Sequence, residues 1–356
     1  MAKKKVIAAV LALTVLASGC SNLKRAAETS GMGEAFETTV ETSAVETTEE
    51  TTTETTKAPE PYTFNRHVHT ELLSVYVTEN MWTSLYNYID AIYAGEDTFK
   101  CTDEKAYEWC TDDTVAGVFL PPVCCKVSGA GFKDGVAKIK YKMDKDKLKE
   151  RISVFETEIV RMLNEAVRSD YSDFEKVFSL YAYMCKNFQY DYSPIDGNGV
   201  DDFSDYACLM SKKGICCEIA SSYSYLLLQI GIESMPMGGN GTGGNHSWTY
   251  VKLGDNGFHL DATWALYGGF PNGILELQYF MMTEKERAVD FAEKMEPDWL
   301  WPWTGKFDMK DYPATDEKFE ELHEGGCIFQ SIDMENNTIK YSDPNGEIKT
   351  LSYGDM

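Results

Sequence analysis

Residues 145–168 carry a stripe of Leu148, Ile152, Phe155, Ile159, Met162, Leu163 and Val167. Spacings of three and four put them on one face of a long amphipathic helix. A second helix is predicted from Asp173, read as its cap, through Phe174, Val177, Phe178, Tyr181, Met184 and Phe188. Upstream, Leu85, Tyr88, Ile89, Ile92 and Tyr93 repeat at helical spacing, whereas Val136 to Tyr141 alternates like a strand. Asn187 to Tyr192 reads as an aromatic turn and Ser193 to Ser204 as a Gly/Asp/Pro loop. Cys216, Ile219, Ala220, Tyr223, Leu227 and Ile230 then mark a helix with one buried face, closed by Gly231. Ile232 to Met237 is a predicted strand, and the glycine-rich stretch Gly238 to Gly244 a mobile loop. His246 to Leu253 and Phe258 to Trp264 alternate as two strands of a hairpin around Gly254–Gly257. After Leu277 to Phe291, the segments Cys327–Asp333, Thr338–Ser342 and Glu347–Tyr353 read as a small three-stranded β appendage.

The first residues have another logic. Lys3, Lys4 and Lys5 precede an apolar run from Val6 to Leu16, the pattern of a signal peptide. Leu16-Ala17-Ser18-Gly19-Cys20 follows and resembles the lipobox of bacterial lipoproteins. The resemblance implies cleavage before Cys20 and lipidation of its thiol; the alternative is an ordinary secretory signal. Residues 26–62 hold eleven Thr and nine Glu with no apolar period. Such a segment buries too little to offset its ordering entropy and is expected to be a solvated tether, spanning about 35 Å as a flexible coil.

Composition narrows the function. Of 356 residues, 43% are hydrophobic and 13% aromatic, enough for a sizeable core. Lys+Arg is 33 and Asp+Glu is 57, a net charge of −24. Loss of the three leader lysines would make it −27. Phosphate backbones are repelled by such a surface, so no nucleic-acid partner is expected. No apolar run is long enough for a transmembrane helix, which leaves the lipid anchor as the one predicted membrane contact. Ten cysteines less a lipidated Cys20 leave nine, an odd number, so at least one thiol stays free. Up to four disulfides are open to the rest, and all could equally be reduced.

Cys216 falls in the first turn of its helix, where the dipole and unpaired N–H groups favour a thiolate and an oxyanion. Cys217 lies off the buried face, as filler or as a second redox-active thiol. In the hairpin, a turn with an even number of residues puts His246 and Asp261 on one face. A two-residue turn at Gly254-Asp255 would set Asp261 opposite Trp248 and diagonal to His246. Thiol, imidazole and carboxylate are the minimum equipment for thiolate acyl transfer. His259 is the competing imidazole. His67 and His69 lack neighbouring ligands at metal spacing, and His323 sits in a charged stretch that reads as solvated.

At these residues the chain resembles the transglutaminase-like family. The matching runs are Gly214-Ile215-Cys216 with Ala220, Leu226-Leu227-Leu228 with Gly231-Ile232, Asn245-His246-Ser247-Trp248, and Asp261-Ala262-Thr263-Trp264. Tyr190-Asp191 and Asp205-Tyr206-Ala207 fit its lead-in. The resemblance spans about residues 170–285. It implies an α+β fold with a papain-like/transglutaminase-like core, the helix bearing the Cys packed on an antiparallel sheet. A mostly helical N-terminal region and the small C-terminal β appendage flank it. It also implies Cys216 as nucleophile, His246 as general base and acid, and Asp261 as the orienting carboxylate. The segments are then a signal peptide (1–19), lipidated Cys20 with its tether (20–62), an N-terminal α/β region (63–144), the core (145–303) and the extension (304–356). The expected protein is a cysteine enzyme acting on amide bonds through a thioester, as hydrolase or as acyltransferase, lipid-anchored on the extracellular face of a bacterial membrane. Its partner would be a protein or peptide substrate, cell-wall peptide included; no cofactor and no metal are called for. The rival reading is a non-catalytic binding module at the cell surface.

Overall fold

A computed structural model of the chain describes residues 58–193, 204–240, 242, 244–269, 274–291, 294–296, 308–354 and 356. The expected signal segment, the acylated Cys20 and most of the tether lie outside the described residues. So do residues 194–203 of the predicted loop and Gly241 and Gly243 of the glycine-rich stretch. Residues Pro61–Met356 form one compact unit. Its first anchor is Tyr62, whose backbone N–H donates to Asn164 Oδ1 at 2.8 Å while Asn164 Nδ2 donates to the Tyr62 carbonyl at 3.0 Å.

The N-terminal part runs α1 (Glu79–Ala94), β1 (Thr98–Lys100), α2 (Glu104–Cys110), α3 (Asp113–Phe119), β2 (Val127–Lys133) and β3 (Val136–Tyr141). Its three strands form an antiparallel sheet in the order β1-β3-β2. α4 (Lys145–Ala166) buries the predicted stripe from Leu148 to Leu163. α5 (Asp173–Asn187) begins one residue off the predicted cap. Ser172 is the N-cap, and the Glu175 side chain reaches back to the Ser172 N–H. That capping box satisfies two backbone donors, which Asp173 could not do from inside the helix.

Next come β4 (Gln189–Tyr190), α6 (Asp205–Ser211), β5 (Lys213–Gly214) and α7 (Cys216–Gln229). β4 and β5 pair in parallel, Tyr190 with Gly214. α6 was not legible as a helix. It is a short element with Ser204 as N-cap and Lys212 in a left-handed C-cap, and its apolar positions are too few to show a period. α7 also departs from expectation, because burial continues all round it from Glu218 to Gln229. An amphipathic pattern marks a helix with a solvent side. This helix is the centre of the core, so it has none.

The sheet beneath α7 has the order β8-β7-β6-β9, with β6 (Ser234–Asn240), β7 (His246–Leu253), β8 (Asn256–Leu260) and β9 (Lys294–Glu296), all antiparallel. Thr249 Oγ1 donates to the Ala220 carbonyl at 3.0 Å, and Ser224 and Ser234 share a hydrogen bond of 3.1 Å, joining helix to sheet. Gly238 and Gly239 belong to β6 rather than to a loop, pairing with Ser247 and His246 on one side and with Glu296 and Met295 on the other. A strand hydrogen-bonded on both sides overrides the weak strand preference of glycine.

Leu253 pairs with Asn256, so the hairpin turn is Gly254-Asp255. The second strand ends at Leu260, however, and α8 (Ala262–Gly269) takes over. The Asp261 carboxylate causes the switch: its Oδ1 accepts from the Trp264 N–H at 3.0 Å, an N-cap contact. α9 (Glu284–Phe291) follows. β10 (Ile328–Asp333), β11 (Thr338–Ser342) and β12 (Ile348–Ser352) form a separate antiparallel sheet in that order. Tyr353 then stacks on Phe174 of α5 with ring centroids 4.2 Å apart, and its hydroxyl donates to Glu175 at 2.7 Å.

Gly214 controls the entry into α7. A Cβ there would stand 2.7 Å from Cys208 Sγ and 3.0 Å from Glu218 Oε2. Neither neighbour can retreat, since Cys208 is fully buried and Glu218 caps the Ile215 N–H at 3.0 Å. Gly214→Ala is expected to lower stability by about 1–3 kcal/mol, the usual cost of overpacking. A urea titration should show the midpoint falling at constant slope; an unchanged midpoint would mean that the entry turn yields freely.

Candidate active site

Cys216 is the first residue of α7, half-buried, with the N–H groups of the first turn around it. β7 runs alongside and brings in His246 at its first residue. The Cys216 thiol is held well below the usual thiol range. A hydrogen bond from the Cys217 thiol contributes most; burial opposes it, and the His246 imidazole and the Ser247 N–H add to it. The exposed Cys217 thiol is pushed up in return, first by its hydrogen bond to Cys216.

His246 Nε2 lies 2.7 Å from Asp261 Oδ2. Because Nε2 is engaged, Nδ1 is left for the sulfur. Burial lowers the imidazole pKa, but the Asp261 carboxylate and the Cys216 sulfur outweigh it and raise the value to about 9. A lowered thiol beside a raised imidazole favours a thiolate–imidazolium pair at neutral pH. The imidazole is also held from its face: the Trp264 ring lies parallel to it, 4.9 Å away and tilted by 19°.

Asp261 is fully buried, yet its pKa is lowered. Burial pushes up, while His246, Arg287 and the Trp264 N–H pull down further. Arg287 is the partner that sequence reasoning missed. Its Nη2 donates to Asp261 Oδ2 at 2.6 Å, and the guanidinium lies between the Trp248 and Trp264 rings, 4.5 and 4.4 Å from their centroids. A guanidinium only 1% exposed is costly. The carboxylate and two π faces offset that cost. Thr283 and Glu286 form a capping box at the start of α9, with the Thr283 N–H to Glu286 Oε2 at 2.7 Å and the Glu286 N–H to Thr283 Oγ1 at 3.2 Å. Thr-x-x-Glu is a readable helix start, but nothing in a charged helix points to the partner of its arginine.

The rival imidazoles lie elsewhere. His259 Nδ1 accepts from the Trp248 indole N–H at 2.9 Å. Burial, and secondarily Arg287, pull its pKa down to about 3, so it stays neutral. His323 is not solvated as expected. Its ring sits 2.6 Å from Glu286 Oε1 and 2.8 Å from the Phe280 carbonyl, tying the segment after α8 to α9. His67 contacts Asp90 at 2.9 Å and stacks on Tyr86; His69 stands 3.5 Å from Glu71. All nine described cysteines are free thiols.

Two outcomes follow from this geometry. Iodoacetamide should label Cys216 fastest at pH 7, with the acid limb of its rate below the ordinary thiol range. His246→Ala should move that limb up and slow labelling at pH 7 by about tenfold or more, since an ordinary thiol is only a few per cent ionised there. His259→Ala should leave the limb in place, and equal effects of the two variants would refute the pairing. Arg287→Met should cost about 3–5 kcal/mol in denaturant unfolding by stranding a buried carboxylate; a loss below 1 kcal/mol would show that Asp261 is satisfied without it.

No curated protein matches the sequence. Among solved structures, a TGase is 15% identical over 39% of this chain and 45% of its own, with a TM-score of 0.29. A provisionally assigned cysteine protease from Cytophaga hutchinsonii is 14% identical over 38% of this chain and 61% of its own, with a TM-score of 0.22. A provisionally assigned protease from Parabacteroides distasonis is 12% identical over 38% of this chain and 36% of its own, with a TM-score of 0.23. This chain thus spans less than two thirds of each. The family model of the transglutaminase-like superfamily matches residues 161–262, a stretch that contains Cys216, His246 and Asp261. Residues 161–262 are therefore a transglutaminase-like superfamily domain, and the core around them is the α+β arrangement of helix on antiparallel sheet.

Proposed function

We propose that the protein is a cysteine enzyme that cleaves amide bonds through a thioester. The observation that carries this reading is the buried His246–Asp261 pair, 2.7 Å apart, beside a thiol at a helix start. The Cys216 thiolate attacks the carbonyl carbon and a C–S bond forms. The oxygen takes the negative charge next to the first turn of α7, where the Cys216 N–H is one donor. His246 gives its proton to the departing nitrogen, the C–N bond breaks, and the thioester remains. The now neutral imidazole takes a proton from water, hydroxide adds to the thioester, and the acid leaves with the thiolate restored. An amine entering in place of water gives transfer. Hydrolysis is the preferred outcome, because water is always present and no side chains among the described residues mark an amine site.

Asp261 acts by orientation. Fixed by Arg287 and the Trp264 N–H, it holds Nε2 so that the other ring nitrogen faces the sulfur. The place of action is part of the same proposal. Acylation of Cys20 and the Thr/Glu tether would hold the enzyme on the extracellular face of a bacterial membrane, within reach of proteins and cell-wall peptides.

Incubating the purified protein with casein and a fluorescent primary amine tests the chemistry. Casein fragments that disappear in Cys216→Ala are the expected result, and amine incorporation would assign transfer instead. Neither product from the wild-type protein, or fragments undiminished in Cys216→Ala, would favour the binding module.

A further inference from the structure

A second pair of consecutive cysteines lies away from the candidate active site. Cys124 and Cys125 follow the 3₁₀ turn Pro121–Val123, at the entry to β2. Successive side chains of an extended strand point to opposite faces. Here Cys125 has φ 60, the left-handed region that residues other than glycine enter rarely and at a cost. With the backbone so turned, the two sulfurs stand 3.8 Å apart on the same side.

Asp113, the first residue of α3, holds this turn. Its Oδ1 accepts from the Cys125 N–H at 3.0 Å, and the Cys124 thiol donates to its backbone carbonyl at 3.3 Å. One ligand atom from each of Asp113, Cys124 and Cys125 lies within 4.8 Å of the other two. Asp113 Oδ2 has a loose ion pair with Lys142 Nζ at 3.6 Å, both side chains being exposed. Cys125 is exposed and Cys124 half-buried, so the cluster opens to solvent.

We propose that Cys124, Cys125 and Asp113 form a binding site for a thiophilic divalent ion of the zinc class. Two thiolates each about 2.3 Å from one tetrahedral ion are about 3.8 Å apart, which is the separation present here. A disulfide would require about 2.0 Å. Two sulfurs with one carboxylate oxygen select Zn²⁺ or Cd²⁺ over Ca²⁺ and Mg²⁺, which take oxygen ligands. Three protein ligands leave the fourth position to water. On binding, both thiol protons leave to solvent, two metal–sulfur bonds form, and Asp113 Oδ2 exchanges Lys142 for the ion. The backbone strain at Cys125 is thereby assigned a purpose, because it brings together two ligands that chain geometry otherwise separates.

Cobalt(II) is the probe. The purified full chain carrying Cys216→Ala and Cys217→Ser, which silences the other vicinal pair, is titrated with Co²⁺ under anaerobic reducing conditions. One equivalent should give the near-ultraviolet sulfur-to-cobalt charge-transfer band of a tetrahedral thiolate site, and Zn²⁺ should bleach it. Cys125→Ser, at an exposed position, should abolish the band, and Asp113→Asn should weaken binding about tenfold or more. Asn keeps an oxygen for the Cys125 N–H, so this variant preserves the turn. Absence of the band in the parent protein, or its survival unchanged in Cys125→Ser and Asp113→Asn, would overturn the proposal.

Discussion

The Asp261 carboxylate is the group on which the site depends. It has no access to water, so each lone pair must be met inside the protein. Three elements supply the partners: His246 from β7, Arg287 from α9 and the Trp264 N–H from α8. The same contacts do three jobs. They end the hairpin strand and start a helix, fix the ring of His246, and draw α9 against the sheet. A buried cation and anion seldom add stability over apolar packing, but they penalise every arrangement in which one lacks the other. This pair therefore specifies position more than it stabilises.

The thiol is prepared from the opposite side. α7 is buried along nearly its whole length, and its first residue is left at the edge where β4 and β5 meet. Gly214 allows the chain to pass against Cys208 and Glu218 before the helix begins. Without side-chain bulk there, Glu218 can turn back to the Ile215 N–H at the start of the helix. Thiol and imidazole then shift each other, sulfur down and ring up to about 9. Neither shift belongs to one residue: the Cys217 thiol adds most to the fall at the sulfur and Asp261 most to the rise at the ring, and each of the two charges favours the other.

Much of this was legible in the sequence, for reasons that can be named. The stripe of α4 and the alternation of β3 follow from one-sided burial, which leaves a period. Alternation put His246 and Asp261 on one face for any even turn, whereas the Gly254-Asp255 turn that sets the register was decided by the structure. Where burial is uniform the signal vanishes, so α7 read as amphipathic although it is enclosed. Where an element is short the period has no room, so α6 was missed. The Gly238-Gly239 pair looked like a loop because glycine prefers one, yet two neighbouring strands claim it. His323 looked solvated among its glutamates, and one of the α9 glutamates proved to be its partner.

The order and spacing of Cys216, His246 and Asp261 were set by the sequence alone, because helix start and strand face are local properties of the chain. So were the apolar stripes and the acidic balance of charge. Which arginine meets the buried carboxylate, which imidazole stays neutral against an indole, and which two cysteines share one side of a turn were decided only in three dimensions. Each of these depends on a contact between distant segments, and a charged or polar residue carries no mark along the chain of the partner it will meet.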